Sequence, residues 1–141
     1  MRIMAVDYGD ARVGVAVSDI SRKLTGDAWV LSVKSRADIA SVLTTEAVAR
    51  HVSVIVVGHP RNMDGTVGPR ALISEQFAEQ LRGIIAAAGM GVEVVLWDER
   101  MTTMSAHRIL TDAGKFGKKR KNTVDAVAAS LILESYMQSL S

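Results

Sequence analysis

"VDYGDARVGVAVSD", residues 6–19, reads as two apolar strands joined by a tight turn, with Asp7 at the end of the first. Gly9 and Asp10 are the turn residues between a Val/Ile-rich run over 2–7 and a second over 12–18. An aspartate at a strand end is either the first residue of a turn or a chemical reagent. Gly9 lets the chain turn immediately after Asp7, tolerates a positive φ, and leaves room beside the carboxylate.

Outward from this hairpin, "AWVLSV" at 28–33 adds a third strand and completes a meander. Residues 37–51 read as a helix, with Ile39, Val42, Leu43 and Ala47 at helical spacing. "SVIVV" at 53–57 is a continuous β-branched run, the pattern of a strand buried on both faces. Gly58 and Pro60 end it, and "HPRNMDGTVGP" at 59–69 is a turn-rich loop. A helix over about 70–89 carries Ile73, Phe77, Leu81, Ile84, Ile85 and Ala88 as its stripe and stops at Gly89 and Gly91. A strand at 92–97 precedes "DERMTT". A helix with Ala106, Ile109, Leu110 and Ala113 on one face follows, then a basic stretch and a last helix over about 123–139. A meander feeding βαβ crossovers predicts an α/β fold, a mixed five-stranded sheet with helices on both faces. Sites in such sheets gather at the carboxyl ends of the parallel strands.

The 141 residues, 48% of them hydrophobic, suit one compact domain spanning 1–141. No apolar run approaches the roughly 18–20 residues of a membrane span. The opening strand lacks the basic, apolar and small-residue pattern of a secretory signal, so a cytoplasmic location is expected. With no Cys there are neither disulfides nor thiolate metal sites. The net charge is only +2, but Lys115, Lys118, Lys119, Arg120 and Lys121 fall together with no acid among them. Such a cluster is either a solvated loop or cap, or a set of phosphate contacts.

Four acids stand at element ends: Asp7 after the first strand, Asp98 and Glu99 after the strand at 92–97, and Asp125 at the opening of the last helix. Converging carboxylates repel unless a cation offsets their charge, and oxygen-only ligands suit Mg²⁺ or Mn²⁺. Each also has a plain structural reading. Asp98 or Glu99 can pair with Arg100. Asp125, three residues past the potential N-cap Asn122, suits the first turn of a helix through the macrodipole. Small residues at Ala128 and Ala129, one turn beyond Asp125, would let that helix lie close to the sheet, either to bring the carboxylate toward Asp7 or simply to pack tightly.

"DYGDARVGVAVSD", "GHPRNMDGTVGPRA", "DERMTT" and "KKRKNTVDAVAASLIL" together resemble the four motifs of the YqgF/RuvX family, in order and spacing, from residue 3 to about 137. That family belongs to the RNase H-like nucleases. It is described as acting on the 5′ end of pre-16S ribosomal RNA, with some members described as Holliday-junction resolvases. The resemblance implies an RNase H-like nuclease domain in which Asp7, Glu99 and Asp125 are metal-binding catalytic acids and Asp98 is the weaker candidate. "GHP" at 58–60 departs from the family's usual Gly-Leu-Pro. The strand end that carries a carboxylate in many RNase H-like nucleases is here Gly58, so Glu99 has to serve from the neighbouring strand. His59 reads as a loop residue, with the ordering of a water or phosphate as the alternative.

The function expected from this resemblance is metal-dependent phosphodiester hydrolysis. Asp7 would bridge two Mg²⁺ or Mn²⁺ ions about 4 Å apart, and Glu99 and Asp125 would complete the sites. The basic stretch, with Arg61, Arg70 and Arg100, would hold the nucleic-acid backbone. Two Phe, two Tyr and two Trp are too few to make base stacking the basis of binding. Two other classes compete. An actin-like ATP-binding fold starts with a similar strand–Asp–hairpin but pairs two such domains, and this chain has room for one. A non-catalytic nucleic-acid module needs only the basic stretch and leaves the acids unexplained. The sequence leaves structured RNA and branched DNA open as substrates. It predicts a monomer or weak homodimer, having no heptad pattern.

Overall fold

The computed structural model describes residues 1–32, 36–101 and 120–140. Within them run β1 (Arg2–Tyr8), β2 (Arg12–Ser18), β3 (Thr25–Ser32), α1 (Arg36–Ala49), β4 (Val52–His59), α2 (Pro69–Ala87), β5 (Glu93–Asp98), a 3₁₀ turn (Glu99–Met101) and α3 (Arg120–Ser139). The helix expected around Ala106–Ala113, and Lys115, Lys118 and Lys119, lie outside the described residues.

The five strands form one mixed sheet in the order β3-β2-β1-β4-β5. β1, β2 and β3 form the antiparallel meander, and β4 and β5 extend it in parallel beyond β1. The alternation of side chains along β1 explains why the sheet is covered on both faces. Met4 and Val6 join Phe77, Leu81, Leu43 and Ile39 in a core under α1 and α2. Ile3 and Ala5 join Val54, Val56, Ala129, Ile132 and Leu133 in a second, smaller core under α3. Ala129, four residues into the described side chains of α3, is fully buried, so α3 approaches the sheet closely where its residues are small. Truncating Ile132, also fully buried, to Ala would cost about 2–5 kcal/mol.

Several boundaries differ from the sequence reading, each for a physical reason. β4 does not stop at Val57 but continues through Gly58 and His59, because pairing with Trp97 and Asp98 of β5 carries it on. β3 starts at Thr25 rather than at 28, since Thr25 and Asp27 pair with Ser18 and Val17 despite their polarity. α3 starts at Arg120, so Arg120 and Lys121 belong to a helix and Asn122 is not its N-cap. Lysine and arginine are good helix formers, which reading the stretch by its charge alone conceals. On α1, Val42 faces outward while Ala40 is buried with Ile39, Leu43 and Ala47. The stripe of α2 is rotated from the expected one: Ala71, Ser74, Phe77, Ala78, Leu81 and Ile85 are buried, whereas Ile73 is 40% exposed. Ala88 is the C-cap, and Gly89 leaves the helix at a φ of +65°.

Candidate active site at the carboxyl ends of the parallel strands

β1 delivers Asp7 to one end of the sheet. It follows Val6, which pairs with Val57 of β4, and it pairs with Gly14 of β2. Alternation puts Asp7 on the face of Ile3 and Ala5, the α3 face. Its neighbour Tyr8 goes to the opposite face and stacks on Phe77 of α2, ring centroids 4.1 Å apart. Tyr8 thus holds the strand end down and fixes which way Asp7 points.

Gly9 N–H donates to the Arg12 carbonyl at 3.0 Å to close the hairpin. A Cβ on Gly9 would stand 2.6 Å from that same carbonyl oxygen. The glycine is therefore demanded by the close approach of the backbone. The positive φ allowed for in the sequence is not what requires it, as the described residues with positive φ are Arg22, His51, Gly65 and Gly89. The place of its missing side chain lies against the hairpin's own backbone.

The adjacent acids Asp98 and Glu99 go to different places. Asp98 receives the Arg100 guanidinium on both oxygens, at 2.7–3.1 Å, and the Arg100 backbone N–H at 3.0 Å. Those hydrogen bonds hold its carboxyl below the ordinary aspartate range. Glu99 turns back over β4. A Cβ built on Gly58 would lie 2.9 Å from Glu99 Cδ and 2.7 Å from Ile132 Cδ1. Gly58 is bare because the Glu99 side chain and α3 occupy the place where its own side chain would sit. Burial first, and then the negative charge of Asp7, push the Glu99 carboxyl up to about 7, with Arg70 opposing the rise. Two carboxylates from β1 and the end of β5 thus share one half-buried space on the α3 face.

α3 is registered against that space by Trp97, whose indole N–H donates to Ser135 Oγ at 3.0 Å and whose ring meets Tyr136 edge-on. Asp125 lies in α3 one turn before the buried Ala129; its side chain is outside the described ones. Among the described residues, no three His, Asp or Glu side chains gather as a metal-binding group.

The arginines expected to contact nucleic acid divide. Arg100 is bound by Asp98 and reaches the Met63 carbonyl at 3.4 Å, pinning the 61–68 loop to the end of β5. Arg70 is the second residue of α2, exposed, and its charge is felt at Glu99. Arg61 is exposed, and its charge is felt at Asp98. All three therefore border the acids. Lys121 and Arg120 are in the first turn of α3.

Sequence reasoning missed one group. His59 is not a loop residue: it ends β4 and is 3% exposed. Its Nδ1 accepts from Arg61 Nε–H at 3.1 Å, and its Nε2 lies 3.3 Å from Glu75 Oε1 on α2. That second approach is off the line of a hydrogen bond, which leaves Nε2 attracted to Glu75 without a formal acceptor. The signal available in the sequence was a histidine one glycine past a β-branched run, with an arginine two residues on.

A sequence model of the RuvX family, described as "Holliday junction resolvase", matches residues 1–139. The chain belongs to that family. Among RuvX relatives, a protein of Bacillus mycoides named "Putative pre-16S rRNA nuclease" is 40% identical over 141 residues, covering 99% of each chain. One of the same name from Halothermothrix orenii is 39% identical over 137 residues, covering 97% of this chain and 94% of that protein. Two solved structures share the fold. T. thermophilus RuvC in complex with a Holliday junction substrate superposes with a TM-score of 0.65 at 14% identity, covering 100% of this chain and 97% of that one. The fowlpox virus Holliday junction resolvase gives 0.60 at 15% identity, with 100% of both chains covered. The RuvX chain has the RNase H-like fold, with its mixed five-stranded sheet and helices on both faces.

Proposed function

We propose that this RuvX protein is a nuclease that hydrolyses phosphodiester bonds with a divalent cation, in processing the 5′ end of pre-16S rRNA, and that Asp7, Glu99 and Asp125 are its acids. The observation that carries the assignment is the placement of Glu99 over the bare Gly58, beside Asp7. Asp98, one residue earlier, is already matched by Arg100.

The donor set fits a hard cation. Burial and the charge of Asp7 raise the proton affinity of Glu99, a strain that a cation would relieve, and oxygen donors without Cys or His favour Mg²⁺ or Mn²⁺. Asp7 and Glu99 would hold it, with Asp125 joining from α3. Such an ion, when bound, lowers the pKa of an attacking water and neutralises charge on the phosphodiester. The chain's own contribution is orientation. Tyr8 fixes the end of β1, Gly58 gives Glu99 its seat, and Trp97 sets the register of α3. Arg70 and Arg61 offer positive charge at the rim, and the basic stretch through Lys121 supplies more for the backbone of a long substrate. No described helix is long and apolar enough to cross a membrane, which is in keeping with a cytoplasmic enzyme acting on nucleic acid. The whole of residues 1–141 is read as one nuclease domain.

The names of the relatives favour RNA, and the family description supports a second reading, cleavage of four-way DNA junctions. One preparation given a structured precursor with the 16S 5′ leader and a four-way junction, with Mg²⁺ and with Mn²⁺, separates them. Metal-stimulated cleavage of the precursor alone is the expected result. Cleavage of the junction alone assigns the second reading, and metal-indifferent binding without cleavage removes the enzyme assignment.

A further inference from the structure

We propose that His59 is a positioning residue that holds Arg61 ready for a substrate phosphate, with Glu75 as its brace. The inference rests on the nuclease reading for the identity of the phosphate, and on the geometry at the end of β4 for the rest.

Arg61 is tied to His59 twice. Its backbone N–H donates to the His59 carbonyl at 2.9 Å, and its Nε–H donates to His59 Nδ1 at 3.1 Å. A ring nitrogen that accepts carries no proton, so the proton of the neutral imidazole sits on Nε2. That nitrogen faces Glu75 Oε1 at 3.3 Å. Glu75 thereby favours the one tautomer in which Nδ1 can receive Arg61. The imidazole itself cannot swing, being 3% exposed at the end of a paired strand.

The two loop-side arginines then differ in kind. Arg100 has its guanidinium filled by Asp98. Arg61 is anchored only through Nε, which leaves both Nη groups without a hydrogen-bond acceptor among the described residues. Its side chain is exposed and its charge reaches Asp98 on the site's rim. An arginine held by Nε presents its two Nη groups as a fork, the geometry that takes two oxygens of a phosphate. An arginine oriented before binding loses less freedom when the phosphate arrives, which is worth roughly 3- to 10-fold in affinity.

The test is a mutant cycle read by binding of a labelled structured RNA, by single-turnover cleavage, and by the ¹⁵N-resolved Nε–H signal of Arg61 in the free protein. His59→Leu is expected to weaken binding about 3- to 10-fold with little change in the cleavage rate at saturation, and to lose the protected Nε–H signal. Arg61→Ala should weaken binding at least as much, and the double variant should be no worse than Arg61→Ala alone. His59→Asn, whose Oδ1 can stand where Nδ1 accepts, should restore both binding and the signal. Circular dichroism checks that each variant is folded. Additive losses in the double variant, wild-type binding by His59→Leu, or no rescue by a folded His59→Asn would each overturn the proposal while wild-type cleavage leaves the nuclease reading standing. A wild type that neither binds nor cleaves RNA or junction would overturn the nuclease reading itself, and the phosphate role with it. A protected Nε–H signal lost in His59→Leu would then show the anchor to be purely structural.

Discussion

Where β2 turns into β3, Arg50 lies over the Trp29 ring at 4.3 Å and bonds Glu46 and Asp27 at 2.8 and 3.0 Å. Nearby, Asp19 accepts the N–H groups of Lys23 and Leu24 and the hydroxyl of Ser21. At the opposite end of the same sheet, Glu99 is pressed under α3 beside Asp7 and pushed up to about 7. The first end matches each of these charges with an opposite charge or a donor. The second places like charges together and covers them. A cavity of about 600 Å³ between the turn and the end of α3 belongs to the first end, away from the like charges of the second. The pairing of charges, more than concavity, distinguishes the two ends.

The strongest way to break this contrast is to neutralise an acid at the second end. Asp7→Asn and Glu99→Gln should each lower cleavage by about 10²–10³-fold, the scale of removing one preorganised electrostatic group. Asp98→Asn should lose far less. Equal losses at Asp98 and Glu99 in a cleavage assay would dissolve the distinction between the two neighbours. Stability carries the same signature. Folded Glu99 holds its proton more tightly than the unfolded residue, whose ordinary value is 4.5. The metal-free protein should therefore lose stability as pH rises from about 4.5 through 7, by on the order of 3 kcal/mol at most. Denaturant melts in chelator should show that slope, and Glu99→Gln should flatten it. Added Mg²⁺ should offset the loss in the wild type and not in Glu99→Gln.

Two glycines sharpen the comparison at a smaller scale. Gly58→Ala drives a methyl into Glu99 and Ile132, and Gly9→Ala drives one into the Arg12 carbonyl. Each should cost about 1–3 kcal/mol. Only Gly58→Ala should also reduce cleavage per folded molecule, by about 10-fold or more on the scale of a misplaced group. A melt and a single-turnover assay on one sample separate the two effects. The smallest effect belongs to the balanced end. Arg50→Met should cost about 1 kcal/mol, since its ion pairs are partly exposed and the ring contact is modest. Cleavage should be unchanged; a change there would mean the two ends communicate.

Much of this was legible in the sequence because apolar periodicity reports directly on burial. The run at 53–57 reads as a strand covered on both sides, and Val54, Ile55, Val56 and Val57 are buried. The hairpin at 6–19 gave the meander and the position of Asp7. What escaped the reading depends on partners distant in sequence. Gly58 and His59 look like strand-ending punctuation until β5 is laid beside them. Gly58 is a glycine because of Glu99 and Ile132, far along the chain, and no local pattern announces that. The His59–Arg61–Glu75 group likewise needs α2 docked before its third member appears. The start of α3 was misplaced because charge was weighed ahead of helix propensity.

Among the described residues, the second core has one lid. Ile3, Ala5, Ala16, Val54 and Val56 are covered by α3, and α3 follows all five strands in the chain. During synthesis every strand therefore leaves the ribosome before the helix that completes the acid-bearing face. The growing chain carries an apolar surface that a later segment covers, and the acid-bearing face is completed only once α3 has been made.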